Sequence, residues 1–177
     1  MSRERDDLVE RCLRGDAAAF RTVVERHGRA VQGTLVRILG PRRDLEDLVQ
    51  QVFLELARSL PRFRGDASLG TFVVAIAANV ARRTLERGPR PSYALDTEAL
   101  SAGDDPEARA DARQLLVRMF LLLDRLTPAK RVAFVLHAVE GRDIREVATM
   151  VGANEPTVRA RVTAARRELE SLLGRSS

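Results

Sequence analysis

Four arginines near the C-terminus, Arg159, Arg161, Arg166 and Arg167, fall on a stretch that reads as a single helix. A guanidinium near the start of such a helix can donate two parallel hydrogen bonds to a guanine edge in the major groove, worth ~1–3 kcal/mol of discrimination. Arginines further along meet phosphate and set register without reading sequence. A second group, Asp47, Gln50, Gln51 and Leu54, shares one face of an earlier helical stretch. A carboxylate, two amides and a leucine suit docking to another macromolecule. The plainer alternative for both groups is a solvated helix face. Catalytic chemistry is poorly served. His27 and His137 are far apart, and no HExxH, P-loop or paired-cysteine spacing occurs. His137 lies among Val135, Leu136 and Val139 and reads as a packing histidine, because a catalytic base needs a positioned partner. The single cysteine, Cys12, excludes an intramolecular disulfide and a Cys-rich metal site, and its setting suits a small core residue. No catalytic residue, metal or cofactor is expected, so the chain reads as a binding protein and not an enzyme.

Composition points the same way. The 177 residues carry 30 basic against 25 acidic side chains, a formal charge of +5 and a pI near 10.7. Most of the positive charge is arginine, which suits a polyanion. Aromatics make up 4% and tryptophan is absent, which argues against a broad base-stacking platform. No charged-then-apolar leader and no run long enough to span a bilayer is present, so a cytoplasmic location without membrane insertion is expected.

The elements that must position these residues are all helical. Asp6 to His27 reads as one or two helices with a break at Gly15-Asp16, and a further helix runs from about Arg29 to Leu39. Leu45, Leu48, Val49, Val52, Phe53, Leu56 and Leu60 then recur at helical spacing. Asp44 is the expected N-cap, with Asp47 in the style of a capping box, and Pro61 is the stop. A polar loop from Arg62 to Ser68 follows, and Ser68 caps a helix that runs to about Arg87. From Gly88 to Asp111 the chain is acidic and rich in Gly, Pro and Ser, and reads as a flexible linker. A second block opens with Leu115, Leu116, Met119, Leu122 and Leu123. Thr127-Pro128 starts the next helix. Asp143 then caps a short helix, Gly152 makes the turn, and Asn154 caps the arginine-bearing helix. A short helix, a turn and a longer basic helix have helix-turn-helix spacing. The fold class is therefore all-α, in two small domains: residues 1–88 and 114–177, with 89–113 between them.

At this point the residues carry a resemblance. Asp44-x-x-Asp47-x-x-Gln50-x-x-Phe53, then Phe63-Arg64-Gly65-x-Ala67-Ser68-x-x-Thr71-Phe72, then Ile76-Ala77-x-Asn79, resembles region 2 of bacterial sigma factors of the extracytoplasmic-function (ECF) type. Asp124-x-Leu126-x-Pro128-x-x-Arg131, Glu146-Val147-Ala148-x-x-x-Gly152 and Thr157-Val158-Arg159-x-Arg161 are similar to region 4 of the same family. The resemblance implies a transcription factor that joins core RNA polymerase and directs it to promoters. Asp44, Asp47, Leu48, Gln50, Gln51 and Phe53 would form or support the face that docks on the polymerase clamp coiled coil, while region 4 would meet the flap. The loop from Phe63 to Leu69, with Phe63, Arg64, Gly65, Asp66, Ala67 and Ser68, would hold a flipped base of the −10 element, and Arg62 beside it would also meet that DNA. Thr71, Phe72, Asn79, Arg82 and Arg83 would serve the melted strand. Asn154, Thr157, Arg159, Ala160, Arg161, Thr163 and Arg166 would face the −35 element. The acidic linker would thread toward the polymerase cleft, and an anti-sigma factor is an expected partner.

The sequence departs from the family pattern at instructive positions. Tryptophan is usual where Phe72 stands, and aromatic or basic residues are usual where this chain has Val73, Val74, Ala75 and Ala78. Those changes remove stacking surface and phosphate contacts, which predicts narrow promoter choice or weak opening without a −35 contact. The alternatives are a helix-turn-helix regulator that does not initiate transcription and a protein that titrates an anti-sigma factor.

Overall fold

Several helices begin where a side chain accepts from the orphan amides of the first turn. The computed structural model describes residues 2–88 and 106–174, with helices α1 (Ser2–Leu13), α2 (Ala17–Leu39), α3 (Leu45–Ser59) and α4 (Leu69–Glu86) in the first block. Asp16 caps α2 by accepting from the amides of Ala18 and Ala19 at 2.9 and 3.0 Å. Ser68 caps α4 through the Thr71 amide at 3.0 Å. The separate helices expected to either side of His27 and Arg29 are one, and α2 runs unbroken through Gly28 for 23 residues. An interior glycine costs ~1 kcal/mol relative to alanine, and burial of Val23, Val31, Leu35 and Ile38 outweighs it.

Asp44 stands at the cap position of α3 but makes no capping bond with its side chain. Its carboxylate turns instead to the Arg42 guanidinium, with Nη2 donating at 2.6 Å. The capping box is therefore not formed. Leu48, Val52, Phe53 and Leu56 bury the inner face of α3. A short 3₁₀ turn, Leu60–Arg62, carries Pro61 and closes the helix.

The second block holds α5 (Pro106–Leu123), α6 (Pro128–Phe134), α7 (Ile144–Val151) and α8 (Glu155–Gly174). Helix α5 starts inside the stretch expected to be linker; residues 89–105 of that stretch lie outside the described residues. Pro128 occupies the first turn of α6 as expected, while the Thr127 side chain makes no capping bond. Helix α6 widens into a π turn, Val135–Val139, in which the Glu140 amide donates to the Val135 carbonyl at 2.9 Å. The His137 ring sits on this turn and its Nδ1 lies 2.7 Å from the Arg142 carbonyl. A carbonyl only accepts, so Nδ1 carries the proton and the histidine is structural. Asp143 caps α7 through the Glu146 amide at 2.7 Å. Gly152 ends it in the left-handed conformation, φ +64°, that a turn this sharp requires.

The blocks are not held apart. Helix α4 packs against α2 and α3 on one side and against α6 and α7 on the other, and the π turn packs on α2. One buried cluster runs from Leu8 through Val73 and Ala77 to Val132, Leu136, Val147 and Val158. No helix among the described residues is long and apolar enough to cross a membrane.

Candidate functional site

The outer face of α3 is built by its amphipathicity. With Leu48 and Phe53 buried, Asp47, Gln50 and Leu54 are turned out, and Leu54 is 59% exposed. Leu48 and Phe53 thus shape this face from beneath and offer little surface of their own. Gln51 is half-buried and donates to Glu55 at 3.1 Å. Glu55 in turn accepts two bonds from Arg83 at 2.5 Å, tying α3 to α4. Asp44 closes the end of the face. Its hydrogen bond from Arg42 holds the carboxyl below the usual carboxylate range, against the opposing effect of partial burial. A depressed folded-state pKa contributes stability that is present above the unfolded value, ~3.9, and is lost as pH falls through the folded value. In urea titrations, Asp44→Asn is therefore expected to be less stable than wild type at neutral pH, with the difference closing in acid. A difference that stayed constant with pH would assign it to something other than this ion pair.

The second feature is an open cleft of about 330 Å³ over the loop between α3 and α4. Phe63 and Phe72 form its apolar wall, with ring centroids 5.1 Å apart in a tilted pair. Arg62, Arg64, Gly65 and Asp66 are exposed on the rim and Ala67 is half-buried. Six loop residues from Arg62 to Ala67, with Thr71, Phe72 and Asn79, converge on this cleft. Arg82 and Arg83 do not line it: Arg82 bonds Glu86 at 2.6 Å and Arg83 is taken up by Glu55. Ala75 and Ile76 of α4 add to the lining, and two residues that local sequence pattern did not point to, Thr149 and Met150 of α7, complete it. Their presence arises from packing between distant helices, for which the local pattern carries no signal. Asn79 is committed in the same way. Its Nδ2 donates to the Ala75 carbonyl at 2.9 Å and to the Met150 carbonyl at 3.1 Å.

The third feature is the α7–turn–α8 unit. Asn154 caps α8, accepting from the Thr157 amide at 2.8 Å, so its side-chain oxygen is already engaged. Val158, Val162 and Ala165 pin the inner face. That leaves Arg159, Ala160, Thr163 and Arg166 exposed and Thr157 and Arg161 half-buried. Arg159 lies 3.7 Å from Glu155 one turn earlier, a loose surface pair that leaves its guanidinium available. The outward side chains form one basic strip beginning at a helix N-terminus, the geometry by which a helix enters a major groove. Among the described residues no group of three or more His, Cys, Asp or Glu is arranged to hold a metal.

An all-helical fold with a polar, outward helix face, an aromatic-walled loop cleft and a basic helix-turn-helix points to a class: transcription initiation factors of the sigma type. The comparisons with known proteins agree. The family described as sigma-70 region 2 matches residues 23–90, and sigma-70 region 4 matches residues 116–169. The ECF RNA polymerase sigma-E factor of Haemophilus influenzae is 32% identical over 175 residues, covering 93% of this chain and 92% of that protein. Among solved structures, CnrH in complex with the cytosolic domain of CnrY superposes with a TM-score of 0.68 at 26% identity, covering 98% and 99% of the two chains. The Bartonella quintana sigma factor RpoE, solved in complex with the anti-sigma factor NepR, shares the fold at a TM-score of 0.61 and 18% identity, over 88% and 96%. This chain belongs to the ECF sigma factors of the sigma-70 family. It directs RNA polymerase to promoters and is not an enzyme.

Proposed function

We propose that the three surfaces divide the work of initiation. The outer face of α3, with Asp47, Gln50 and Leu54 foremost, docks on the clamp coiled coil of core polymerase. The Phe63–Phe72 cleft receives a base flipped from the −10 element. Flipping costs a few kcal/mol, and the exposed Arg62 and Arg64 offset part of it by drawing the phosphate backbone in. Arg159 and Arg161, near the start of α8, read the −35 element, while Arg166 grips phosphate. The acidic stretch before α5 runs toward the polymerase cleft, and region 4 meets the flap. The protein works in the cytoplasm. An anti-sigma factor is its natural partner, in keeping with the similar fold solved in such a complex.

The observation that carries this reading is the outward basic strip of α8 on a core-pinned recognition helix. Helix α4 offers few aromatic or basic groups for strand separation, so initiation depends on the −35 contact. Promoters selected from genomic fragments by the reconstituted holoenzyme supply the templates. Arg159→Ala with Arg161→Ala is expected to lower run-off transcription on them by ~10–100-fold, from the loss of two arginine contacts. Scrambling the −35 sequence should do the same to the unaltered protein. Efficient opening from a −10 element alone would overturn this assignment.

A further inference from the structure

Helix α4 is buried around more of its circumference than a surface helix needs. Leu69, Val73, Ile76, Ala77 and Val80 bury one face, and Val74, Ala78 and Ala81 bury the next. At about 100° per residue these positions span roughly 200° of arc, where an amphipathic helix typically buries a stripe of about 100°. Beyond that arc, Thr71 and Asn79 are held by α7: Thr71 Oγ1 donates to Glu146 at 3.4 Å, and Asn79 to the Met150 carbonyl at 3.1 Å. Val73, Val74 and Ala78 stand where aromatic or basic residues would serve a separated DNA strand. Here they are small or apolar and fully covered.

Two charged groups of the second block fasten this arrangement to α2. Arg131 is 1% exposed. Its Nε donates to the Ile38 carbonyl, one of the orphan acceptors at the C-terminal end of α2, and its Nη1 to Asp124. Glu140, its side chain 6% exposed, accepts from Thr34 at 2.7 Å and from Arg37 at 3.0 Å. It also accepts from Arg142 of its own block at 3.1 Å. A carboxylate and a guanidinium this buried are stable only while their partners across the boundary remain in place. Once the blocks part, both return to water.

We infer that the chain closes on itself: a clasp made by Glu140 and Arg131 on α2 lays α7 over the strand-separating face of α4, so the free factor cannot engage a −10 element until the clasp opens. Closure needs no second protein. The cleft that would take a flipped base is completed by Thr149 and Met150, and Asn79 cannot reach a DNA strand while it holds the Met150 carbonyl. The inference rests on the sigma-factor roles given above, and its test separates the two.

The clasp can be replaced by a covalent one. In a Cys12→Ser background, Arg37→Cys with Glu140→Cys removes the salt bridge and offers two thiols across the boundary. A cleavable bis-maleimide is expected to join them within one molecule. The joined protein should give run-off transcription lower by about tenfold or more than the unjoined protein, because the open population is removed, and cleaving the linker should restore it. Without the linker, the same variant should have a larger radius of gyration in solution scattering than wild type, at unchanged helix content by circular dichroism. Equal transcription from joined and unjoined protein would overturn the inference, as would failure to join within one chain or an unchanged radius. If the unjoined variant and the wild type both fail to bind core polymerase, the assignment of the docking face fails instead.

Discussion

Replacing Asp124 with alanine is expected to destabilise the protein by about 3–5 kcal/mol, the cost of leaving a buried charge without its partner. The partner is Arg131, the largest fully buried side chain among the described residues. Its guanidinium already works at a deficit, since Nη2 finds no acceptor among the described residues. Asp124 supplies the compensating charge from the end of α5, and the Ile38 carbonyl supplies a dipole from the end of α2. Removing the carboxylate leaves the positive charge with that dipole alone, at a position only 1% exposed. For a chain of this size the thermal midpoint should fall by roughly 10 °C. Chemical denaturation by circular dichroism reads the difference directly. Arg131→Met in the Asp124→Ala background should recover part of the loss, because the unpaired charge goes with it. A single variant within about 1 kcal/mol of wild type would mean that water reaches the pair and screens it.

The second large effect concerns partner binding and leaves folding alone. Gln50→Arg with Leu54→Asp changes two outward side chains of α3 and touches none of the buried positions of that helix. Stability should stay within about 0.5 kcal/mol of wild type, as for most surface changes. If this face docks on core polymerase, the pair is expected to raise the dissociation constant for polymerase by ~100-fold, about 2.7 kcal/mol. Fluorescence anisotropy of labelled protein with purified core polymerase measures it. Unchanged affinity in a normally folded variant would move the docking surface away from α3.

These two experiments probe interactions of different visibility. The α3 face was legible because helical periodicity alone sorts Leu48, Val52, Phe53 and Leu56 inward and Asp47, Gln50 and Leu54 outward. The caps at Ser68, Asp143 and Asn154 were legible for the same local reason, since a side chain and an amide three residues apart meet within one turn. Local signals also misled. Gly28 carries a breaker's propensity, yet α2 passes through it because buried neighbours hold the helix on either side. Asp44 has the chemistry of a cap, but Arg42 two residues earlier competes for its carboxylate and wins by charge.

By itself, then, the sequence determined the all-helical class, most helix ends, the helix-turn-helix and the outward basic strip, all of which depend on residues within a few positions of one another. Tertiary structure alone decided what the remaining polar groups do. Arg83 was free to meet phosphate until α3 brought Glu55 beside it. Asn79 was free until α7 brought the Met150 carbonyl. Glu140 and Arg131 carry no local mark of burial, and their partners Thr34 and Ile38 lie 106 and 93 residues away. Periodicity fixes which way a side chain points from its own helix. Only packing fixes which helix it then meets, because that choice buries apolar surface and pairs the buried polar groups over the whole chain at once.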